Sequence, residues 1–235
     1  MANFGFSRLT IVAPYEAHWR EARSAVGAPH LLANAREAAT LGQAASDCTL
    51  VIGTATLADR KPEHPVLLLP DLTPILQQEL ARDRRVALVF GSEKRGLTGE
   101  DLSQCHLLVE IPTDPRQPSM NLGQAVAVCL YELSTHLSLN PQPSGAPALD
   151  FETQERAHPG DLPATSGDLD LLAAIVEQTM RAANYSPSIM RKANRHDTHV
   201  LLRRLALTRR DARRILGFFR RILWRLEHNA GDSHQ

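Results

Sequence analysis

The sequence predicts an α/β protein with a mostly parallel sheet, followed by a small all-α domain rich in arginine. Three observations carry that prediction. Short apolar runs alternate with helical patterns through the first 139 residues, and strands alternating with helices build parallel sheets. A proline-rich acidic stretch at 140–167 has no apolar periodicity and reads as a linker. From 168 to 235 only helical periodicity remains, with arginines crowded into it.

Residues 8–13 (RLTIVA) form a short apolar strand stopped by Pro14. Helices are expected over 16–25 and over 32–45, where apolar and small residues recur a turn apart. Residues 48–52 (CTLVI) read as a buried strand running into Gly53, Thr54, Ala55 and Thr56. An edge strand is expected at 65–69. Residues 73–82 read as helix, with Thr73 as N-cap and Pro74 in the first helical position. The strand 86–90 runs into a Gly-rich polar turn, and Thr98 with Asp101 marks a short capped helix over 98–103. A strand at 107–111, a polar loop and a long helix over 122–137 follow. That helix carries Leu122, Ala125, Val126, Cys129, Leu130 and Leu133 on one stripe. In the linker five prolines occur, and Arg156 is the only positively charged residue. Helices then cover 168–183, 186–205 and 208–227. Thr208 caps the last, Asp211 suits its dipole, and Ile215, Phe218, Phe219, Ile222 and Leu226 form its apolar stripe.

The formal net charge of zero conceals an asymmetry. Residues 181–228 hold 13 Lys+Arg against 3 Asp+Glu, and the rest of the chain holds 13 against 23. A basic end on an acidic body is an electrostatic footprint for a polyanion. A merely solvated helix would intersperse glutamates among its arginines. No apolar run reaches the roughly 18 residues of a membrane span, and the N-terminus lacks a secretory pattern. Cys48, Cys105 and Cys129 sit in apolar surroundings without ligand spacing, which suits reduced core thiols in a cytoplasmic protein. No metal-ligand cluster stands out. His196 and His199, three apart on a basic helix, read as RNA contacts or surface residues.

Chemistry concentrates in two loops. Gly91-Ser92-Glu93-Lys94-Arg95-Gly96 follows a buried strand; Gly91 permits close backbone approach and Gly96 a positive φ. It is neither a Walker loop nor a dinucleotide fingerprint. Pro118-Ser119-Met120-Asn121 lies between a strand and a helix, with Asn121 at an N-cap. Amides and carbonyls there adjoin apolar side chains, a setting that suits an adenine ring with a polar tail.

Together these loops resemble the SPOUT superfamily, specifically its SpoU/TrmH-type RNA 2′-O-ribose methyltransferases. LVFGSEKRGL is similar to that family's second motif, and IPTDPRQPSMNLGQAVAVCLYEL to its third in the TrmJ-type form, with Met120 in place of Leu. NFGFSRLTIVAP resembles the region flanking an early strand, DCTLVIGTATLADR the cofactor loop, and the arginine-rich end the TrmJ-type helical extension. The resemblance implies a trefoil knot in the α/β domain, an exception to unknotted topology. It also implies a homodimer with S-adenosylmethionine at the interface. Thr54, Ala55, Thr56, Gly91, Ile111, Pro118, Ser119 and Met120 would touch the cofactor, and Glu93, Ser119 and Asn121 would form the catalytic end. Glu93 beside Lys94 and Arg95 also suits an ordinary surface ion pair. Arg203, Arg204, Arg209, Arg210, Arg213 and Arg214 would bind tRNA, with an anticodon-loop nucleotide of the position-32 type as target. An rRNA-directed enzyme, or an impaired protein that binds cofactor and RNA, are the alternatives. No metal and no membrane are implied. The family's first strand, with an Asn-x-Gly-x-x-x-Arg helix, has no counterpart, because the chain opens at Ala2-Asn3-Phe4-Gly5. Arg8, Arg60 and Arg116 are the candidates for that arginine's role.

Overall fold

A computed structural model describes residues 1–15, 19–21, 27–56, 62–137, 162–185 and 187–229. Most of the expected helix at 16–25 and most of the expected linker lie outside these residues. β1 (Thr10–Val12) and β2 (Arg36–Ala38) form a parallel pair, with Thr10 opposite Arg36. The single helix expected over 32–45 is therefore wrong: α1 (Pro29–Ala33), β2 and α2 (Leu41–Ala45) occupy that region. Helix propensity is a weak prior, and here strand pairing overrides it. The Arg36 amide donates to Leu9 O at 2.9 Å, and the Ala13 amide to Ala38 O at 2.9 Å. The Thr40 hydroxyl then caps α2 by accepting from the Gln43 amide at 3.2 Å.

The main sheet holds β3 (Leu50–Thr54), β4 (Val66–Leu68), β5 (Val86–Val89) and β6 (Leu107–Glu110) in the order β4-β6-β3-β5, all parallel. Side chains alternate across a strand, and both faces here are covered. Ile52 and Val109 meet Leu69, Leu72, Leu76, Cys129 and Leu133 on one face. Val51 and Leu108 meet Leu41, Ala45, Cys48 and Cys105 on the other. Each fully buried aliphatic side chain contributes about 1.5–3 kcal/mol. β5 forms the edge, and its four apolar residues are only half-buried. All three cysteines are free and buried. Burial pushes the Cys48 thiol up to about 11, and those of Cys105 and Cys129 to about 12, so none is a nucleophile.

α3 (Thr73–Ala81) follows a 3-10 turn over Leu69–Leu72, so Leu72 and not Thr73 stands at its N-cap. The Thr73 hydroxyl is buried without a partner. The capping box predicted at Thr98 and Asp101 opens α4 (Gly99–Ser103), and Asn121 caps α5 (Leu122–His136).

α6 (Ser166–Ala182), α7 (Arg191–Arg204) and α8 (Arg209–Asn229) form the helical part around Leu169, Leu172, Ala173, Leu202 and Ala212. Leu162 and Ala164 already belong to it: Leu162 O accepts from the Arg209 amide at 2.7 Å and Leu207 O from the Ala164 amide at 2.9 Å. The predicted stripe on α8 is rotated. Ala212, Ile215 and Leu216 face α6, whereas Phe218 and Ile222 are 67% and 47% exposed. One neighbouring helix covers only one side of α8, and the arginines share the other side with these two side chains.

The first turn of α6 is bonded to the α/β domain. The Ser166 amide donates to Cys48 O at 2.8 Å and the Gly167 amide to Ser46 O at 3.0 Å. A Cβ at Gly167 would stand 2.9 Å from Ser46 O, so this approach requires glycine. Arg203 completes the join. Its Nε donates to Gln104 O at 2.9 Å, and its Nη2 reaches Gln104 Oε1 at 2.6 Å, Asp170 Oδ1 at 2.7 Å and Ser166 Oγ at 3.2 Å. The side chain is 0% exposed. The expectation that Arg203 binds RNA is thus corrected: its guanidinium is buried and engaged inside the chain. His199 is corrected likewise. It is buried against Arg203, with Nδ1 3.5 Å from Asp170 Oδ1 and Nε2 3.7 Å from Glu177 Oε1.

Candidate functional site

β3, β5 and β6 are neighbours in the sheet, so the loops leaving their C-terminal ends emerge side by side. Ligands of open α/β sheets bind at such ends. The first loop is stitched to both neighbours. The Thr54 hydroxyl donates to Val89 O at 3.0 Å, the Ala55 amide to Val109 O at 3.1 Å, and the Thr56 hydroxyl to Pro118 O at 3.3 Å.

The second loop is a closed turn after β5. The Gly96 amide donates to Ser92 O at 2.8 Å, and Gly96 has φ 64°. A Cβ at Gly91 would fall 1.9 Å from the Gly96 carbonyl carbon, so the turn closes only over a bare backbone. Leu97 is buried and anchors the turn, while Glu93, Lys94 and Arg95 point outward and are exposed.

The third loop runs from Ile111 to Asn121. Its first bend is held by Asp114: the Arg116 side chain forms a two-pronged pair with the carboxylate at 2.6–3.2 Å. The Arg116 guanidinium holds the Asp114 carboxyl below its usual range. The Thr113 hydroxyl donates to Pro118 O at 3.3 Å, the acceptor Thr56 also uses. Asn121 then joins loop to loop. Its Oδ1 accepts from the Gly123 and Gln124 amides at 2.8 and 3.3 Å, and its Nδ2 donates to Glu93 Oε1 at 2.5 Å.

The structure thus brings together Thr54, Ala55, Thr56, Gly91, Glu93, Ile111, Pro118 and Asn121, with Ser119 and Met120 between the last two. Glu93 pairs with Asn121 and not with Lys94 or Arg95. Among the described residues none shares a hydrogen bond with Ser119 or Met120. Ser119 is exposed and Met120 half-buried, as are Ile111 and Pro118 of the same loop. Arg60 lies outside the described residues, and Arg8 is exposed. Among the described residues no group of three or more His, Cys, Asp or Glu is arranged for a metal ion, and no helix is long and apolar enough to cross a membrane.

The profile of the SpoU rRNA methylase family matches residues 1–131, more than half of the chain. The chain belongs to the SpoU rRNA methylase family. Within that family it is 40% identical over 134 residues to the tRNA (cytidine/uridine/adenosine-2′-O-)-methyltransferase TrmJ of Pseudomonas aeruginosa; the match spans 57% of this chain and 52% of that protein. The match to a further relative, from Haemophilus influenzae, likewise spans about half of it, 54%. A longer match joins it to the tRNA (cytidine/uridine-2′-O-)-methyltransferase TrmJ of Pectobacterium atrosepticum, 31% identical over 95% of this chain and 86% of the relative. In fold it is similar to the crystal structure of TrmJ from Z. mobilis, with TM-score 0.76 at 23% identity, over 94% of this chain and 89% of that one. The SpoU family match ends inside α5, so the helical part lies beyond it.

The basic residues occupy a different region. Arg210, Arg213 and Arg214 are exposed on α8. Arg204 is 51% exposed and lies 3.9 Å from Glu63, and Arg209 is 3.5 Å from Asp168. Sequence reasoning missed the buried cluster around Arg203. The available signal was the pair Asp170 and Glu177, seven apart and hence on one side of the same helix.

Proposed function

We propose that this chain is an S-adenosylmethionine-dependent tRNA 2′-O-ribose methyltransferase directed at an anticodon-loop nucleotide. One observation carries the reading: three loops at the C-terminal ends of adjacent parallel strands, tied by Glu93–Asn121 and by Thr56 and Thr113 on Pro118. Family membership and relatives named as tRNA 2′-O-methyltransferases support it. The residues fit the cofactor. Ser119 and Met120 share no hydrogen bond among the described residues and follow half-buried Pro118 in the loop that starts at half-buried Ile111, so their backbone groups are open to a ligand. When bound, S-adenosylmethionine supplies a methyl group already activated by its sulfonium.

The protein's part is then mainly orientation. Thr54, Ala55, Thr56, Gly91, Ile111, Pro118, Ser119 and Met120 hold the cofactor, largely through backbone groups. Asn121 fixes Glu93 against the start of α5, so two walls of the site move as one. Glu93 and Ser119 face the incoming ribose, where a carboxylate can assist removal of the 2′-hydroxyl proton. The helical part positions the RNA through the arginines of α7 and α8.

The reading includes a trefoil knot formed by the second and third loops, and a homodimer. Support for the dimer comes from α5, which exposes Val128 at 38% and Tyr131 at 60%. The three free, buried cysteines suit the cytoplasm.

Incubation with tritiated S-adenosylmethionine and unmodified tRNA tests the reading. Label is expected in 2′-O-methylated cytidine or uridine after digestion to nucleosides. Cofactor and tRNA binding without transfer would overturn the enzymatic reading, and label in a parallel incubation with unmodified rRNA but not in tRNA would overturn the choice of substrate.

A further inference from the structure

The outer side of α8 lies apart from the three loops, and of its residues only the arginines have a role above, in positioning RNA. It combines two features that rarely share a helix face. Arg210, Arg213, Arg220, Arg221 and Arg225 are exposed, and none has an ion-pair partner among the described residues. Among them stand three large apolar side chains: Phe218 at 67% exposure, Ile222 at 47% and Trp224 at 47%. The helix already satisfies its core through Ala212, Ile215 and Leu216, so these three are not needed for folding. Trp224 is held in place by its own helix. His228 stacks on the indole at 4.4 Å and 28°, and the Arg221 guanidinium lies 5.3 Å from the ring centre.

We propose that this side of α8 docks unpaired RNA nucleotides, with Phe218 and Trp224 stacking on bases while Arg213, Arg221 and Arg225 hold phosphates. The inference rests on the RNA-directed reading above and narrows it to nucleotides whose bases are free. Duplex RNA keeps its bases stacked inside and presents phosphates and sugar edges, for which arginines alone suffice. Aromatic rings interleaved with arginines match single-stranded segments, because every base has a face to stack and every linkage a charge to neutralise. A second copy of the chain fits poorly. Pairing this surface with itself would set five unpaired arginines against arginines, with Asp211, already beside Arg214, and Glu227 as the acids of the helix, and like charges repel. Phe218 and Trp224 lie six residues apart, about 9 Å along the helix axis and about 120° around it, so they flank the arginines from two sides and each can take a separate base of a strand that crosses the helix.

Fluorescence-anisotropy titrations of the full chain against an RNA hairpin with an open loop, and against a blunt RNA duplex of equal length, test this. The Phe218→Ala/Trp224→Ala variant is expected to weaken hairpin binding about tenfold or more and to leave duplex binding unchanged. Equal weakening on both RNAs, or none, would overturn it. In a Trp19→Phe background the hairpin is expected to quench Trp224 emission, and absence of quenching likewise counts against stacking. Sedimentation of the double variant gives a separate check: loss of a wild-type assembly would assign the surface to a second copy. The two readings fail separately. Ring-dependent hairpin binding without methyl transfer to tRNA would leave the docking surface and remove the enzyme. Methyl transfer with ring-independent binding would do the reverse.

Discussion

Asn121 performs two tasks with one amide. Its oxygen caps α5, and its nitrogen binds the Glu93 carboxylate. Substitutions separate the two. Asn121→Ala removes both, and loss of such a cap costs about 1 kcal/mol. Asn121→Asp keeps the capping acceptor but sets a second carboxylate against Glu93. We expect the repulsion to turn Glu93 out to solvent, so that Asn121→Asp unfolds near the wild-type temperature yet binds S-adenosylmethionine about tenfold more weakly, the two loops no longer being tied. Thermal melts and titration calorimetry would check this; wild-type affinity in Asn121→Asp would show that the Glu93 tie is irrelevant. Gly91 gives a second prediction of the same kind. Gly91→Ala must open the turn, because its Cβ would lie 1.9 Å from the Gly96 carbonyl carbon. Cofactor affinity should collapse while the main sheet, whose core residues lie elsewhere, keeps its melting behaviour. The bare backbone needed at Gly91 and the N-cap at Asn121 were legible from the residue types alone. Glu93 was not: its neighbours Lys94 and Arg95 suggested an ion pair, and its partner lies 28 positions away.

At the scale of elements, α7 is held to α4 and α6 by one buried guanidinium. Removing one partner of a buried pair strands the other charge and costs about 3–5 kcal/mol. Arg203→Ala should therefore lower stability by that order in urea unfolding, and limited proteolysis should cut the helical part first. The salt dependence of tRNA binding should keep its wild-type slope, because Arg203 meets no phosphate. A shallower slope would restore Arg203 to the RNA surface. The same element shows why sequence reading went astray. Arg203 and Arg204 are adjacent in a basic run, yet a helix turns about 100° per residue. One therefore points into the junction and the other outward, and only the neighbours of α7 decide which. The misread helix at 32–45 has a parallel cause: alanines favour a helix locally, but pairing with β1 demands a strand at 36–38.

At the scale of the whole molecule, the junction between the α/β and helical parts makes stability depend on pH. His106 accepts the Val51 amide at Nδ1 at 3.1 Å, and burial, reinforced by the positive Arg203, lowers its pKa to about 4 from the ordinary 6.5. The folded-state value lies below the unfolded one, so the unfolded chain takes up the proton first. Stability is whole above about pH 6.5 and falls progressively toward pH 4, by on the order of 3 kcal/mol at the lower limit. His64, lowered by burial and by His196, adds to the same trend. Urea unfolding at pH 7.5 and pH 5 should show the loss, and His106→Gln should flatten it. An identical pH slope in His106→Gln would assign the effect to other groups.

What the sequence determined by itself was the alternation of strands and helices, the two glycine- and proline-marked polar loops and the basic helical end. Each depends on local periodicity, on glycine and cap positions, or on net charge, all of which are written residue by residue. What only the tertiary structure decided was which of those residues meet. Strand order places the loops after β3, β5 and β6 side by side, Glu93 finds Asn121, and Arg203 turns inward while Phe218 and Trp224 turn outward. Those outcomes depend on contacts between positions far apart in the chain, and no local pattern encodes the neighbour a helix face will meet.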